Sequence, residues 1–362
     1  MVLYRKYRPQ KFSEVIGQDK IIKILKNEIK EDKLVHAYLF TGPRGLGKTT
    51  TARLLAKSLN CLNRKSNQSE PCNKCKNCKS INKGNFLDLI ELDAASQTGV
   101  DNIRKNVISN SKIPPRTGKY KIFVIDEAHM LSPSAFNALL KTLEEPPEYV
   151  VFILATTEFH KLPETIVSRC QRFDFTKVSL KKIVKKLKEI AKKEKVKIGD
   201  KILNMIAYRS EGCVRDAEGL LNQLLAIGEK EITMNNASLV VPPTKTNEVV
   251  SLLKYIFAKE EDKAIKLVNE FFDKGGNLEQ FLSDTIDFLR KIMFTKLGLE
   301  KNNLEWQLDE KLKKEIKKFS KIKMDQLVKV TESFINLQTK PNYEKIPPFL
   351  LEINIVKLCK KL

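Results

Sequence analysis

The 362-residue sequence is poor in several features, and each absence excludes a kind of protein. No apolar stretch is long enough to cross a bilayer: the longest, such as YVVFILA, fall far short of the roughly 20 residues that a spanning helix needs. The opening, MVLYRKYRPQKF, is charged throughout and lacks the apolar run of an export signal, so a cytoplasmic location without a membrane partner is expected. There is no internal repeat and no long biased tail. Histidine occurs three times, and never within the cysteine cluster. Acidic residues are outnumbered, 44 Asp and Glu against 66 Lys and Arg, and the net charge of +22 points to a polyanionic partner.

The basic excess is densest in residues 176–240, around the run KKIVKKLKEIAKKEKVK from Lys181 to Lys197. Within it Ile183, Val184 and Leu187 recur at helical spacing. Most of the run therefore reads as one amphipathic helix with a solvated basic face in preference to a dedicated DNA contact. Seven cysteines are present, four of them close together. Without an export signal, such a cluster points to metal and not to disulfides.

Residues 37–175 alternate short apolar runs with helical patterns. The runs AYLFT, FLDLIEL, YKIFVID, YVVFILATT and the weaker RFDF lack period-two alternation, as parallel strands buried on both faces do. Between them, Ala52, Leu55, Ala56 and Leu59 form one helical face. Ser132 can cap a helix with Pro133 at its first position and Phe136, Leu139, Leu140 and Leu143 along one side, until Glu145-Pro146-Pro147 stops it. This is an α/β, doubly wound pattern. Strand signals vanish from about Val178. The expected organisation is an α/β core over 1–177, a small helical domain over 178–240, a linker at VPPTKTN (241–247) and an all-α domain over 241–362, broken at KGGN and at KIPPF.

The loop Gly42-Pro43-Arg44-Gly45-Leu46-Gly47-Lys48-Thr49, followed by Thr50, fits G-x-x-x-x-G-K-[ST]. Its glycines let backbone N–H groups curl around phosphate oxygens, and the helix that follows adds its positive end. Lys48 would reach the terminal phosphates of ATP, and Thr49 would ligate Mg²⁺. A buried-strand run before the loop and a good helix after it make a chance glycine turn a poor explanation. Asp126, at the end of the apolar run IFVID, can hold Mg²⁺, and Glu127 is then placed to polarise the attacking water. His129 alone decides nothing. Arg169 and Arg215 are candidates to supply charge to the γ-phosphate, although composition alone reads each as a surface or salt-bridged arginine.

Cys61, Cys72, Cys75 and Cys78 can converge on one tetrahedral ion, with Cys61 arriving from the end of the phosphate-loop helix. A closed four-thiolate Zn²⁺ site of structural type is favoured over an iron–sulfur cluster or four free thiols. Such a metal staples an inserted loop into a small rigid knob, which suits a partner surface better than chemistry.

The stretches YRPQKFSEVIGQ, HAYLFTGPRGLGKTTTARLLAKSLNC, CNKCKNC, ELDAASQTGVDNIR, FVIDEAHMLSPSAFNALLKTLEEPPE, LATTEFHKLPETIVSRC and SEGCVRDAEGLLNQL are together more specific than any one motif. They resemble the gamma/tau family of bacterial DNA polymerase III, the AAA+ ATPases of the replicative clamp loader. The resemblance is dense over residues 4–227 and thins over 241–362, where KGGNLEQFLSDTIDFLR and IPPFLLEINIVKLC are similar to the family's helical oligomerisation collar. It implies an AAA+ core, a helical lid and a collar. It makes Thr157 the sensor-1 residue and Arg169 of the Ser168-Arg169-Cys170 motif an arginine finger for the neighbouring subunit. Arg215 becomes sensor 2 in the lid, and Tyr7, Arg8, Pro9, Val15, Ile16 and Gly17 the adenine and ribose contacts. It further implies a ring of five clamp-loader subunits that opens a sliding clamp with ATP bound and releases it on primer–template DNA after hydrolysis. The insert NRKSNQSE lengthens the spacing between the first two cysteines relative to the family. The end of the chain just past the collar-like stretch resembles the short gamma form.

Rival classes are a hydrolytically idle AAA+ scaffold, a helicase or branch-migration motor, and a small-molecule phosphotransferase. Intact Lys48, Thr49, Asp126 and Glu127 argue against the first. The cysteine knob and the Ser168–Cys170 motif argue against the second, and the lack of any acceptor-site pattern against the third. DNA contact is expected through phosphates, with strong salt dependence.

Overall fold

The computed structural model describes residues 2–96, 98–240, 246–299, 310–338 and 348–361. The chain forms two compact units, residues 1–241 and 242–362. Of the expected linker at 241–247, residues 241–245 lie outside the described residues, as does the KIPPF stretch up to residue 347, while residues 246 and 247 already belong to a helix.

The first unit is built on a five-stranded parallel sheet with the strand order β2-β3-β4-β1-β5. The strands are β1 (Ala37–Thr41), β2 (Leu89–Asp93), β3 (Lys121–Asp126), β4 (Val150–Thr156) and β5 (Gln171–Asp174). All five follow the apolar runs of the sequence. Successive residues of β1 point to opposite faces, and both faces are covered. Tyr38 and Phe40 pack with Leu54, Leu55 and Ile29 on one side. Ala37 and Leu39 pack with Leu139, Leu143 and Val107 on the other. A strand buried on both faces must be apolar at every position, which is why no alternation was visible.

Strand β1 sits between β4 and β5, so the chain crosses over on both sides of it. In open α/β sheets such a point leaves a crevice at the carboxyl ends of the strands. The helix Lys48–Leu59 follows β1 directly, and Asp126 ends β3. The helix Pro133–Glu144 starts where Ser132 Oγ accepts the Ala135 N–H at 3.2 Å, with Pro133 in its first turn, and it stops before Pro146.

Residues 178–240 have their own core, in which Ile183, Leu187, Ile190, Leu203, Ile206, Leu221 and Leu224 are buried. The helices Leu180–Lys193, Asp200–Arg209 and Val214–Leu225 supply it. The basic run is helical only to Lys193. Lys197–Ile198 instead pairs in parallel with Glu231–Ile232. Two-residue strands carry no readable periodicity, so the sequence could not announce them. Leu3 and Tyr7, from the start of the chain, also pack on this core, and the Leu3 N–H donates to Asn222 Oδ1 at 3.2 Å.

The second unit is helical throughout its described residues, with helices Thr246–Phe257, Glu261–Asp273, Leu278–Lys296, Glu310–Phe319, Met324–Gln338 and Pro348–Lys361. Phe288, Leu289, Phe334 and Ile355 lie in its core. The break at KGGN is realised as two adjoining helix ends, with Asn277 Oδ1 capping the second by accepting the Gln280 N–H at 3.0 Å. Gly276 is confined there, since a Cβ would meet the Phe271 ring at 2.2 Å.

Candidate nucleotide site and cysteine centre

Residues 42–47 turn between the end of β1 and the helix Lys48–Leu59. Gly42 takes φ +128°, and a Cβ on it would lie 2.3 Å from the Phe175 carbonyl oxygen. Gly45 takes φ +72°, and a Cβ there would meet Cys213 Sγ at 2.2 Å. The loop is thus clamped between the chain leaving β5 and the start of the helix Val214–Leu225, whose Arg215 N–H reaches the Gly45 carbonyl at 3.4 Å. Only glycine fits both close approaches.

Above the loop lies a cavity of about 270 Å³ lined by Tyr4, Arg5, Arg8, Pro9, Glu14, Val15, Ile16, residues 44–50, Asp126, Glu127, Lys186, Val214, Arg215 and Glu218. Most of the sequence candidates are brought together here: Arg8, Pro9, Val15, Ile16, Arg44, Gly45, Leu46, Gly47, Lys48, Thr49, Thr50, Asp126, Glu127 and Arg215. Gly42 and Pro43 sit just beneath, and the Pro43 carbonyl accepts from Lys48 Nζ at 2.9 Å. Tyr7 and Gly17 do not line the cavity. The Tyr7 hydroxyl is drawn away to Glu194, and its ring packs on the helical core of residues 178–240. Gly17 faces Val178, which a Cβ would approach to 2.6 Å. Tyr4 takes the wall position instead, with the Arg215 guanidinium carbon 4.8 Å from its ring centre.

The charged groups of the cavity are arranged in order. Thr49 Oγ1 donates to Asp126 Oδ2 at 2.7 Å, and Asp126 Oδ1 accepts the Glu127 N–H at 3.1 Å. Lys48 is buried, and burial lowers its pKa against the pull of the Glu127 and Asp126 carboxylates. A threonine hydroxyl beside a carboxylate is a hard-oxygen pair. Mg²⁺ binds through one or two such groups together with phosphate oxygens and water, so Thr49 and Asp126 suit that ion.

Glu127 stands at φ +48°, just past β3, which turns its side chain across to the end of β4. Its Oε2 accepts from Thr157 Oγ1 at 3.0 Å and from the Thr157 N–H at 3.2 Å. His129 lies 3.4 Å from the same oxygen, 3.0 Å from Thr156 Oγ1 and 3.3 Å from Glu158. Among the described residues Oε1 of Glu127 takes no hydrogen bond. Sequence reasoning left His129 without a role; only the fold shows that it buttresses Glu127 and the end of β4.

Arg169 is absent from the cavity wall. Its guanidinium donates to the Thr165 carbonyl at 2.7 Å and pairs with Glu144. Glu14, Lys186, Val214 and Glu218 carried no signal in the sequence. Val214 and Glu218 share a helix face with Arg215, but a glutamate in a basic lid reads as solvent-facing until the fold buries it.

The four cysteines lie at the far end of the phosphate-loop helix. Cys61 follows its last turn, and Cys75 and Cys78 sit at the start of the helix Lys76–Lys83. Their four Sγ atoms lie within 4.8 Å of one another, and none is in a disulfide. Sulfurs on one tetrahedral Zn²⁺ would stand roughly 3.8 Å apart given a ~2.3 Å metal–sulfur bond, so small movements would close the site. Backbone N–H groups already point at the sulfurs: Cys72 to Cys61 at 3.3 Å, Lys74 and Cys75 to Cys72 at 3.4 and 3.2 Å, and Cys78 to Cys75 at 3.4 Å. Burial raises the Cys72 thiol, but the amides of Lys74 and Cys75 outweigh it and draw the group down to about 6. The donor set fits a thiophilic metal. Lys57, buried in the last turn of the phosphate-loop helix, donates to Gln10 Oε1 and Asn82 Oδ1 at 2.8 and 2.9 Å, and burial lowers its pKa against the pull of the neighbouring Cys78. It too was invisible in the sequence.

A family model described as "DNA polymerase III, delta subunit" matches residues 17–179, and one described as "DNA polymerase III clamp loader subunit, ATPase lid domain" matches residues 182–230. DNA polymerase III subunit tau of Bacillus subtilis is 38% identical over 360 residues, 99% of this chain and 63% of that protein. Subunit tau of Escherichia coli is 40% identical over 82% of this chain and 46% of its own length. The chain thus spans between two-fifths and two-thirds of the tau and gamma/tau relatives it matches. Among solved structures, a variant of RuvB from Thermotoga maritima superposes with a TM-score of 0.50 at 20% identity, over 69% of this chain and 79% of that one, a likeness of AAA+ fold alone. Subunit gamma of Buchnera aphidicola (Acyrthosiphon pisum strain) is 40% identical over 80% of this chain and 80% of its own length, and at that likeness the chain belongs to the gamma/tau family of bacterial DNA polymerase III.

Proposed function

We propose that the chain is an ATP-hydrolysing motor subunit of a clamp loader, one member of a five-membered ring that opens a sliding clamp and releases it on primer–template DNA. The observation that carries the reading is the Thr49–Asp126 pair at 2.7 Å with Glu127 beside it, inside a cavity floored by the phosphate loop. In this account ATP binds with its phosphates on the loop amides. Lys48 exchanges its contacts with the loop carbonyls for phosphate oxygens, which restores the charge that burial disfavours. Mg²⁺, held by Thr49 and Asp126, would neutralise charge on the β- and γ-phosphates. Glu127 polarises the attacking water through Oε1, because Thr157 occupies Oε2 and fixes the carboxylate plane.

Arg215, on the lid, reports the nucleotide to the helical segment. Arg169 serves a neighbour, since Glu144 and the Thr165 carbonyl hold it away from the cavity of its own chain. Zn²⁺ on the four cysteines is structural and braces a partner-facing knob. The division into core (1–177), lid (178–240) and collar (241–362) assigns one task to each part: hydrolysis, coupling and assembly. The work is cytoplasmic. The test is ATP turnover by the chain reconstituted with the other loader subunits. Stimulation that requires both sliding clamp and primed DNA is the expected result. A rate indifferent to both would leave a nucleotide-binding scaffold in its place.

A further inference from the structure

Glu218 has no task in this hydrolytic scheme, yet it borders the cavity and is 94% buried (6% exposed). Among the described residues it has neither a hydrogen-bond partner nor an ion pair. A carboxylate in that position is unfavourable unless something brings it a donor. Its place on the helix Val214–Leu225 indicates what arrives. The first turn of that helix rests on the phosphate loop through the Arg215 N–H. Glu218 lies three residues on, about 4.5 Å along the axis and away from the loop, so it flanks the cavity beyond the phosphates. The apolar residues Pro9, Val15 and Ile16 line the same cavity, as a flat base requires. Of the other carboxylates that line it, Asp126 and Glu127 belong to the phosphate end, and Glu14 already accepts the Gln10 N–H at 2.7 Å.

We infer that Glu218 accepts a hydrogen bond from the nucleoside part of the nucleotide, either the exocyclic amine of the base or a ribose hydroxyl, and thereby selects which nucleotide is held. The inference rests on reading the cavity as an ATP site. Burial pushes the Glu218 carboxyl up to about 7, with Lys186 pulling the other way, so a donor arriving with the nucleotide would favour the ionised, accepting form.

The test compares the full chain with Glu218→Leu, Glu218→Gln and Lys48→Ala, using Mg²⁺ complexes of ATP, 2′-deoxy-ATP and purine riboside triphosphate, which lacks the 6-amine. Dissociation constants come from competition with a fluorescent nucleotide. Glu218→Leu should bind ATP about tenfold more weakly, a change of about 1.4 kcal/mol. It should also lose the wild-type preference for ATP over one of the two analogues. Lost discrimination against the deoxy compound assigns the ribose, and against the desamino compound the base. Glu218→Gln, which keeps a neutral acceptor, should retain part of the preference. If Glu218→Leu binds all three as the wild type does, or all three equally more tightly, while Lys48→Ala has lost binding, the inference is overturned and the ATP site stands. If the wild type binds no ATP, or Lys48→Ala binds it normally, the reading of the cavity fails and the role of Glu218 falls with it. The melting temperature of Glu218→Leu should equal or exceed that of the wild type, because an unpaired buried charge has gone. A marked fall would identify a structural carboxylate and overturn the inference.

Discussion

The two ends of the helix Lys48–Leu59 are opposite in chemistry. Its first turn opens onto a cavity of oxygen donors and loop amides; its last turn leads to four thiols. The ends stand about 18 Å apart for 12 residues. The amino end carries the positive pole of the helix dipole and suits phosphate without further help. The carboxyl end is negative and ought to repel thiolates. Lys57, buried in that last turn, carries its amine to Gln10 Oε1 and Asn82 Oδ1, within electrostatic reach of the cysteines. One end opens onto the cavity. At the other, Cys61, Cys75 and Cys78 are buried and Cys72 is half-buried. A phosphate loop thus leads within 14 residues to a cysteine cluster, with one 12-residue helix between the two.

The difference can be broken from either end. Glu127→Gln should lower ATP turnover about a thousandfold, the middle of the range for a general base, with ATP affinity and metal content unchanged. Turnover and nucleotide titration on one preparation would check it. Cys78→Ser should do the converse, taking metal content from about one Zn²⁺ per chain to none and lowering the melting temperature. Elemental analysis of protein purified without chelator reads the first part, and a metal-free wild type would remove the zinc reading. Lys57→Met sharpens the electrostatic point: metal affinity measured by chelator competition should fall about tenfold, the low end for a group acting through the ligands.

The smallest effect concerns pH at the cavity end. Burial gives Glu218 a folded pKa of about 7, above its unfolded value of 4.5. The native state therefore binds the extra proton between those values. The stability this group contributes is present in full below about pH 4.5 and is lost as pH rises through about 7. Lys186 lines the same cavity and limits the loss. Thermal melts at pH 5 and pH 8 should show Glu218→Leu gaining on the wild type at the higher pH. A difference independent of pH would contradict the assignment.

The sheet was legible because continuous apolar runs bounded by turn residues admit few other structures, and the phosphate loop because its glycines answer a steric demand. The helix Pro133–Glu144 was readable from Ser132, Pro133 and Pro146, which act locally. Contacts made by distant parts of the chain were hidden. Tyr4 replaces Tyr7 in the cavity wall because Glu194, nearly 190 residues away, draws the Tyr7 hydroxyl elsewhere. His129 and Glu218 are ordinary in sequence and become informative only once burial removes their access to water. The pairing of Lys197–Ile198 with Glu231–Ile232 is too short to leave a pattern. In the helical unit, amphipathic spacing indicated the helices but no chemistry, because the buried core described there is almost wholly apolar, with Cys359 its one thiol.

The most direct test is ATP turnover by Arg169→Ala, measured on the isolated chain and on the assembled ring side by side. If Arg169 completes a neighbour's site, the isolated variant matches the wild type, and the ring loses at least about a thousandfold of its stimulated rate, as for other arginines supplied in trans. If the isolated, monomeric variant loses its basal turnover, Arg169 acts on its own nucleotide, and the account of a site finished by its neighbour is wrong.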